Sequence, residues 1–213
     1  MASNPHHTKK RKIENEKKMK KNLKLIISLL LLTSLVGHSQ NKWKVAKQAT
    51  GDLNKDNIAD YVIVSEYKKS NEETLYSLQI FITKTDGTFT KVLSTNKAID
   101  PSNIGSGSGF GDVTIVKGVI TIRTDLTRGN YSTKFRLQNG KFVLIGYDSN
   151  GCDNSGCETQ SYNAITGLRT IKVQDQDTDA IISFTKKIVK MNPLPDLKDF
   201  TYDNFTTRLF PEY

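Results

Sequence analysis

The sequence predicts an all-β fold, either an antiparallel sandwich or an open barrel, on three observations. Short segments rich in Val, Ile, Thr, Phe and Tyr recur along the chain, and Gly, Asn and Asp separate them. Helical spacing is weak and confined to the C-terminus. About 174 residues follow an N-terminal leader, a length that suits one domain.

Ten strands are predicted from these segments. They lie at 60–67, 75–84, 88–94, 112–117, 119–125, 131–138, 141–148, 160–164, 168–174 and 180–189. Hairpin turns are expected at Asp86–Gly87, Lys117–Gly118 and Asn139–Gly140, because Gly, Asn and Asp readily adopt the positive φ that a two-residue hairpin needs. The last segment, "PDLKDFTYDNFTTRLF", is predicted to form either a short helix or a packed irregular tail.

The leader predicts export. From Met19 the chain has basic residues, a 12-residue apolar core at 25–36 and small residues at Gly37 and Ser39, which is the pattern of a secretory signal peptide cleaved between Ser39 and Gln40. The core is shorter than the ~20 residues that span a bilayer, and no Cys follows it to carry a lipid. We expect a periplasmic or extracellular protein without a stable membrane anchor.

The predicted organisation has three parts. Residues 1–18 are an upstream extension or an expression remnant, 19–39 the signal peptide, and 40–213 a single β-rich domain. Residues 1–40 carry 9 Lys or Arg and 2 Glu, so the remaining 22 basic and 20 acidic residues leave only +2 of the total +9 charge. The basic pI therefore belongs to the leader, and no nucleic-acid partner is expected.

Histidine is confined to the leader, at His6, His7 and His38. This distribution excludes Ser-His-Asp and Cys-His catalysis from the predicted mature domain, together with zinc sites that use imidazole. The two cysteines, Cys152 and Cys157, are predicted to form a structural disulfide in an oxidising compartment. A redox or metal role is the alternative, although it more usually has a two-residue spacing.

One acidic loop predicts a cation site. In "DLNKDNIAD", the first, third, fifth and ninth positions are Asp52, Asn54, Asp56 and Asp60, and the seventh would offer the main-chain carbonyl of Ile58. These are the hard oxygen ligands that Ca²⁺ selects. Without a cation, three carboxylates in one tight turn would repel one another. An ordinary acidic turn, with Asn and Asp as turn formers, is the alternative.

This loop resembles the calcium loop of the FG-GAP and VCBS repeat families, in which a pattern Asp-x-(Asp/Asn)-x-Asp-Gly-x-x-Asp precedes a buried strand. The resemblance covers about 45 residues, from Gly51 to Leu93, and includes the strand and turn of "LQIFITKTDGTF". It implies that the five residues above bind the ion. Asn57 replaces the family's Gly, but Asn tolerates the left-handed conformation. Since only one copy is visible, we expect one blade-like unit and not a complete propeller.

Three other stretches carry candidate sites. The glycines of "GSGSGFGDV" precede a strand and no helix, so a flexible connection is favoured over a phosphate cradle. "DQDTD" is predicted as a solvated turn, with a second ion site or one glycosidase carboxylate as alternatives. A loop held by the disulfide concentrates polar and aromatic groups and is a candidate binding surface or only a stapled hairpin. Its residues are Tyr147, Asp148, Asn150, Asp153, Asn154 and Tyr162.

The sequence therefore predicts an exported, calcium-stabilised, non-catalytic module that binds a protein or glycan. Two other functions remain open. One is a carboxylate-based hydrolase acting on glycans, which needs no histidine. The other is a periplasmic inhibitor or immunity-type protein.

Overall fold

A computed structural model describes residues 43–70, 73–103 and 107–211. The fold is all-β, with 61% strand and 5% helix, and it contains two antiparallel sheets that are not closed into a barrel. The predicted fold class is confirmed in its sandwich form. The predicted extension and signal peptide at 1–39 lie outside the described residues. None of the described helices is long and apolar enough to span a membrane.

The first sheet contains five strands. They are β1 (Lys44–Gly51), β2 (Asp60–Lys68), β3 (Glu73–Thr83), β4 (Phe89–Thr95) and β5 (Ser102–Asn103). The strands β1 to β4 form a meander in chain order, and β5 pairs with one end of β3. Propeller blades are also four-stranded antiparallel meanders, and the predicted blade-like unit at residues 51–93 covers β2, β3 and most of β4.

The second sheet is a seven-stranded meander. It contains β6 (Gly109–Val116), β7 (Val119–Leu126), β8 (Gly129–Gln138), β9 (Lys141–Asp153), β10 (Gly156–Asn163), β11 (Leu168–Gln174) and β12 (Ile181–Ile188). The turn residues Lys117, Gly118, Asn139 and Gly140 all have positive φ, which confirms two of the predicted hairpins. In the third, Gly87 has φ 81° and the Asp86 carboxylate accepts the Thr88 amide.

Alternation of side chains explains which face of each sheet is buried. In the first sheet, Val62 pairs with Ile80 and Val64 with Leu78, and all four side chains are buried. In the second sheet the alternation shifts where β8 pairs irregularly with β9, between Lys134 and Phe135. The extra residue of this bulge lets β9 turn both Leu144 and Tyr147 toward the core.

The two sheets meet closely at β1 and β6. An added Cβ at Gly51 would lie 2.6 Å from Cγ2 of Ile115, so only glycine fits at this approach. The sequence did not predict β1, because Ala49 is its one buried residue and no alternation is visible. This undetected strand therefore forms the junction between the sheets.

The C-terminal segment covers the inner face of the second sheet. It contains one helix, α1 (Tyr202–Leu209), which begins after Thr201, whose side chain accepts the Asn204 amide. Phe205 and Leu209 are buried, and the Phe205 ring lies 5.3 Å from that of Tyr147. The preceding residues 191–200 lack regular structure except for a turn and a bridge, so both predicted forms of this tail occur in succession.

Candidate functional site: the Asp52–Asp60 loop and the disulfide hairpin

The acidic loop connects β1 to β2 across residues 52–59. Its backbone places Lys55 at φ 67° and Asn57 at φ 62°, both in the left-handed region. Asn57, which stands where the resembling repeats have glycine, thus adopts the left-handed conformation that Asn tolerates. An added Cβ at Gly118 would lie 3.4 Å from the carbonyl oxygen of Asp52, so the β6–β7 turn packs against the loop.

Side chains of the loop bind its own backbone. The two carboxylate oxygens of Asp52 accept the amides of Lys55 at 2.5 Å and Asn57 at 2.9 Å. Asp56 accepts the Ile58 amide at 2.8 Å and the Asn54 side-chain amide at 2.8 Å. These local bonds hold the carboxylates in a compact turn, the arrangement in which Asp and Asn serve best as turn residues.

Asp60 differs from the other carboxylates of the loop because it is fully buried, with 0% of its surface exposed. One of its carboxylate oxygens accepts the Leu53 amide at 2.8 Å, and the other accepts the Thr83 amide at 2.9 Å. The Thr83 hydroxyl in turn donates to the Ala59 carbonyl at 2.6 Å. Asp60 therefore ties the start of the loop to the end of β3.

The donor set suits a hard cation. It offers three carboxylates, the Asn54 amide oxygen and the Ile58 carbonyl, and each carboxylate oxygen has two lone pairs, so it can ligate an ion while accepting an amide. Among the residues that the structure describes, no three His, Cys, Asp or Glu side chains are grouped so that they could hold a metal ion. Ion binding would thus require Asp52 and Asp56 to draw closer to Asp60.

Comparison with known proteins found no match for this chain. No protein-family model matches this sequence. Neither the curated proteins nor the solved structures contain a match. The resemblance to FG-GAP and VCBS loops therefore rests on the residues of this chain.

The disulfide links two paired strands. Cys152 in β9 and Cys157 in β10 are directly opposite each other, with 4.0 Å between their Cα atoms, and they are bonded. Both strands extend further than predicted, to Asp153 and from Gly156, so the disulfide closes a hairpin and not a loop. At the tip, Asp153 accepts the Ser155 amide at 2.7 Å, and hydrogen bonds from the Ser155 hydroxyl and amide lower the pKa of Asp153.

The structure separates the predicted surface residues. Tyr147 and Tyr162 are buried on the inner face, and the Tyr162 hydroxyl donates to the Val189 carbonyl at 2.8 Å. Asp148 lies on the opposite face, where it forms an ion pair with Lys134.

The other three predicted residues lie farther along the hairpin. Asn150 exchanges long side-chain hydrogen bonds of 3.3 and 3.4 Å with Asn130, while Asp153 and Asn154 are exposed at the tip. Only Tyr147, Asn150 and Asp153 border one common cleft, which has a volume of about 380 Å³.

That cleft contains two tyrosines that the sequence did not single out. Tyr131 from β8 and Tyr202 from α1 stack with ring centroids 4.1 Å apart, and the Tyr202 hydroxyl is 3.0 Å from that of Tyr147. Burial raises the pKa of both Tyr131 and Tyr202 above the usual range. These phenols remain neutral at physiological pH and can act as hydrogen-bonding groups in the wall of the cleft.

A carboxyl group lies behind these tyrosines. Asp100 accepts a hydrogen bond from the Tyr131 hydroxyl at 3.3 Å. Burial, and secondarily the negative charge of Asp203, raise the pKa of Asp100, although the Tyr131 hydrogen bond opposes this shift. No local signal in the sequence could predict this cluster, because its members come from β8, α1 and the segment after β4.

The "DQDTD" segment forms the turn between β11 and β12. The Asp175 carboxylate accepts the amides of Asp177 at 3.1 Å and Thr178 at 2.9 Å. Hydrogen bonds from Thr178 lower the pKa of Asp175. This is the arrangement of a solvated acidic turn.

Of the glycine-rich stretch, residues 105 and 106 lie outside the described part, and the rest leads into β6, as expected.

Proposed function

We propose that this chain is an exported β-sheet module in which a Ca²⁺ ion bound by the Asp52–Asp60 loop stabilises the junction of the two sheets. The single observation that carries the proposal is the environment of Asp60. This fully buried carboxylate ties the start of the loop to the end of β3, and the loop presents two more carboxylates, an amide oxygen and a carbonyl. Because the loop follows β1, which packs on β6, fixing it would stiffen the contact between the sheets.

The ion's contribution is stabilising and not catalytic. Extracellular modules bind Ca²⁺ with dissociation constants of ~10⁻⁴ to 10⁻³ M, and tenfold saturation contributes about 1.4 kcal/mol. For a domain of this length that corresponds to a rise of roughly 3–6 °C in melting temperature.

Thermal unfolding in excess Ca²⁺ and in excess chelator tests the site. The wild-type chain should melt at a higher temperature in Ca²⁺, and Asp56→Ala should abolish the difference, because Asp56 is exposed and its loss removes a ligand while sparing the core. Asp177→Ala is the matched control, since Asp177 is an exposed aspartate in a turn on the other sheet. A calcium response that persists in Asp56→Ala would contradict the assignment.

For its activity we propose binding of a protein or glycan at the cleft beside the disulfide hairpin. The cleft combines stacked tyrosine rings with polar groups from Ser149, Asp153 and Glu158, and the disulfide holds one wall in place. A preorganised wall reduces the entropy lost on binding. Binding of the wild type to arrayed glycans and exported proteins, lost on Glu158→Ala, would support this role.

A hydrolase acting on glycans is the second candidate, and Asp100 is the observation that favours it. A carboxyl whose pKa is raised by burial, beside a tyrosine-lined cleft, has the property of a general acid. Hydrolysis of aryl glycosides that is lost in Asp100→Asn would favour this function. Retained binding without hydrolysis across a panel of glycosides would favour the binding module.

A further inference from the structure

The last strand of the second sheet has an unusual surface. All eight residues of β12 are exposed, including Ile181 (64%), Ile182 (58%), Phe184 (54%) and Ile188 (60%). Edge strands of monomeric proteins are ordinarily short, covered or interrupted, because a long apolar edge pairs with other chains. We propose that β12 pairs antiparallel with β12 of a second copy of this chain, joining two seven-stranded sheets across a two-fold axis.

The backbone of β12 is oriented for this pairing. The Val189 amide donates to the Gly167 carbonyl at 2.8 Å, on the side of β11. Since backbone groups alternate direction along a strand, Phe184, Lys186 and Ile188 direct their N–H and C=O groups away from β11. Within the described residues, the sheet places no strand on that side of β12. A second strand would satisfy these groups by β-sheet extension.

The charges around β12 favour a second copy in antiparallel orientation. The turn before the strand is acidic, and the residues at and beyond its C-terminal half are basic. These residues are Asp175, Asp177 and Asp179 at one end and Lys186, Lys187 and Lys190 at the other. A two-fold axis pairs identical strands antiparallel and brings the acidic end of each copy to the basic end of the other. Parallel pairing would bring like charges together.

The side chains favour a register centred on Thr185 over one centred on Lys186. Centring the axis on Thr185 places Phe184 opposite Lys186 of the other copy and Ile182 opposite Ile188, so that apolar groups and a ring–ammonium contact face one another. The Lys186 ammonium already lies 5.2 Å from the Phe184 ring within one chain. Centring the axis on Lys186 would instead oppose two lysines, which is destabilising.

Sedimentation equilibrium of the full chain from about 5 to 500 µM tests the dimer. One strand pair buries less than a standard interface of about 1,600 Å², so we expect reversible association with a dissociation constant in the micromolar range. Phe184→Lys should raise that constant at least about tenfold, because each new lysine would lie opposite Lys186 of the other copy. Adding Lys186→Glu to that variant should restore dimerisation through a new ion pair.

Val116→Lys is the matched control, because Val116 is 61% exposed on β6, the opposite edge strand of the same sheet. It should leave the dissociation constant unchanged. A wild-type chain that is monomeric throughout this range would overturn the proposal, as would a dimer that is equally weakened by both lysine substitutions or insensitive to Phe184→Lys.

Disulfide trapping tests the register. Two Thr185→Cys side chains would face each other at a non-hydrogen-bonded pair, with Cα atoms ~4.5 Å apart, which is within disulfide range. Lys187→Cys residues would lie four positions apart along the strands, ~13 Å, and should not bond. We expect a covalent dimer on a non-reducing gel for Thr185→Cys alone. Equal cross-linking at both positions, or none at Thr185→Cys, would refute the pairing.

Discussion

Substitution of Asp60 should destabilise the protein strongly even without calcium. Asp60→Ala removes the partner of two backbone amides, those of Leu53 and Thr83, from a position with no solvent exposure. Each buried donor left without a partner costs about 1–3 kcal/mol, so the free energy of unfolding should fall by roughly 2–6 kcal/mol. This is a large share of the 5–15 kcal/mol typical of a domain.

Asp60→Asn keeps the shape of the side chain but replaces one of its two hydrogen-bond acceptors with a donor. The asparagine oxygen can accept one of the two amides, while its NH₂ group faces the other donor. We therefore expect a loss about half that of Asp60→Ala. Asp56→Ala in the same calcium-free buffer is the control and should cost no more than about 1 kcal/mol, since the two hydrogen bonds that it removes are exposed to water.

Urea unfolding followed by circular dichroism, with chelator present, measures these differences through the midpoint and slope. The order wild type, Asp60→Asn, Asp60→Ala in decreasing stability is the expected result. If Asp60→Ala were within about 0.5 kcal/mol of the wild type, the amides of Leu53 and Thr83 would have to be satisfied in another way, and the loop would not depend on Asp60.

Three further predictions concern the second sheet and its covering segment. Phe205→Ala should lower the free energy of unfolding by about 3–5 kcal/mol in urea titrations, because its buried ring packs between α1 and β9. Asp100→Asn should stabilise the protein at pH 7 and have little effect near pH 3. Burial and Asp203 raise the folded-state pKa of Asp100, so its ionisation costs stability as the pH rises through that pKa. Replacing Cys152 and Cys157 by Ser should cost about 2 kcal/mol, measured as a lower urea midpoint.

Each of these predictions has its own control. Val92→Ala, at a half-exposed position of β4, should cost less than about 0.5 kcal/mol, and a similar loss for Phe205→Ala would contradict the packing described. For Asp100→Asn, a stabilisation that is equal at both pH values would show that ionisation is not its cause. For the double serine variant, reducing the disulfide of the wild type should lower the urea midpoint by the same amount. A change in the midpoint when reductant is added to the variant itself would contradict the assignment of a single disulfide.

Local composition predicted the strands that are rich in β-branched and aromatic residues. The segment 60–67 could be predicted because the run Tyr-Val-Ile-Val favours a strand, and 168–174 was predicted with its observed bounds. The turns at Lys117–Gly118 and Asn139–Gly140 followed from the conformational freedom of those residues. In each of these elements the local sequence and the tertiary structure favour the same conformation.

The features that the sequence did not predict depend on contacts between residues that are distant in the chain. β1 has one buried residue and is a strand because β2 offers it a partner. The cleft depends on Tyr131 and Tyr202, which are far apart in the chain and meet only when α1 packs on the sheet. Tyr162 looked like a surface residue because polar neighbours surround it in sequence, but its strand directs it into the core.

Calcium titration of the metal-free chain by isothermal calorimetry tests the central claim most directly. We predict a saturable signal for one ion per chain, with a dissociation constant of ~10⁻⁴ to 10⁻³ M, that is absent in Asp56→Ala and unchanged in Asp177→Ala. A chain that shows no saturable heat up to about 10 mM Ca²⁺, or that binds equally well without Asp56, would contradict the account.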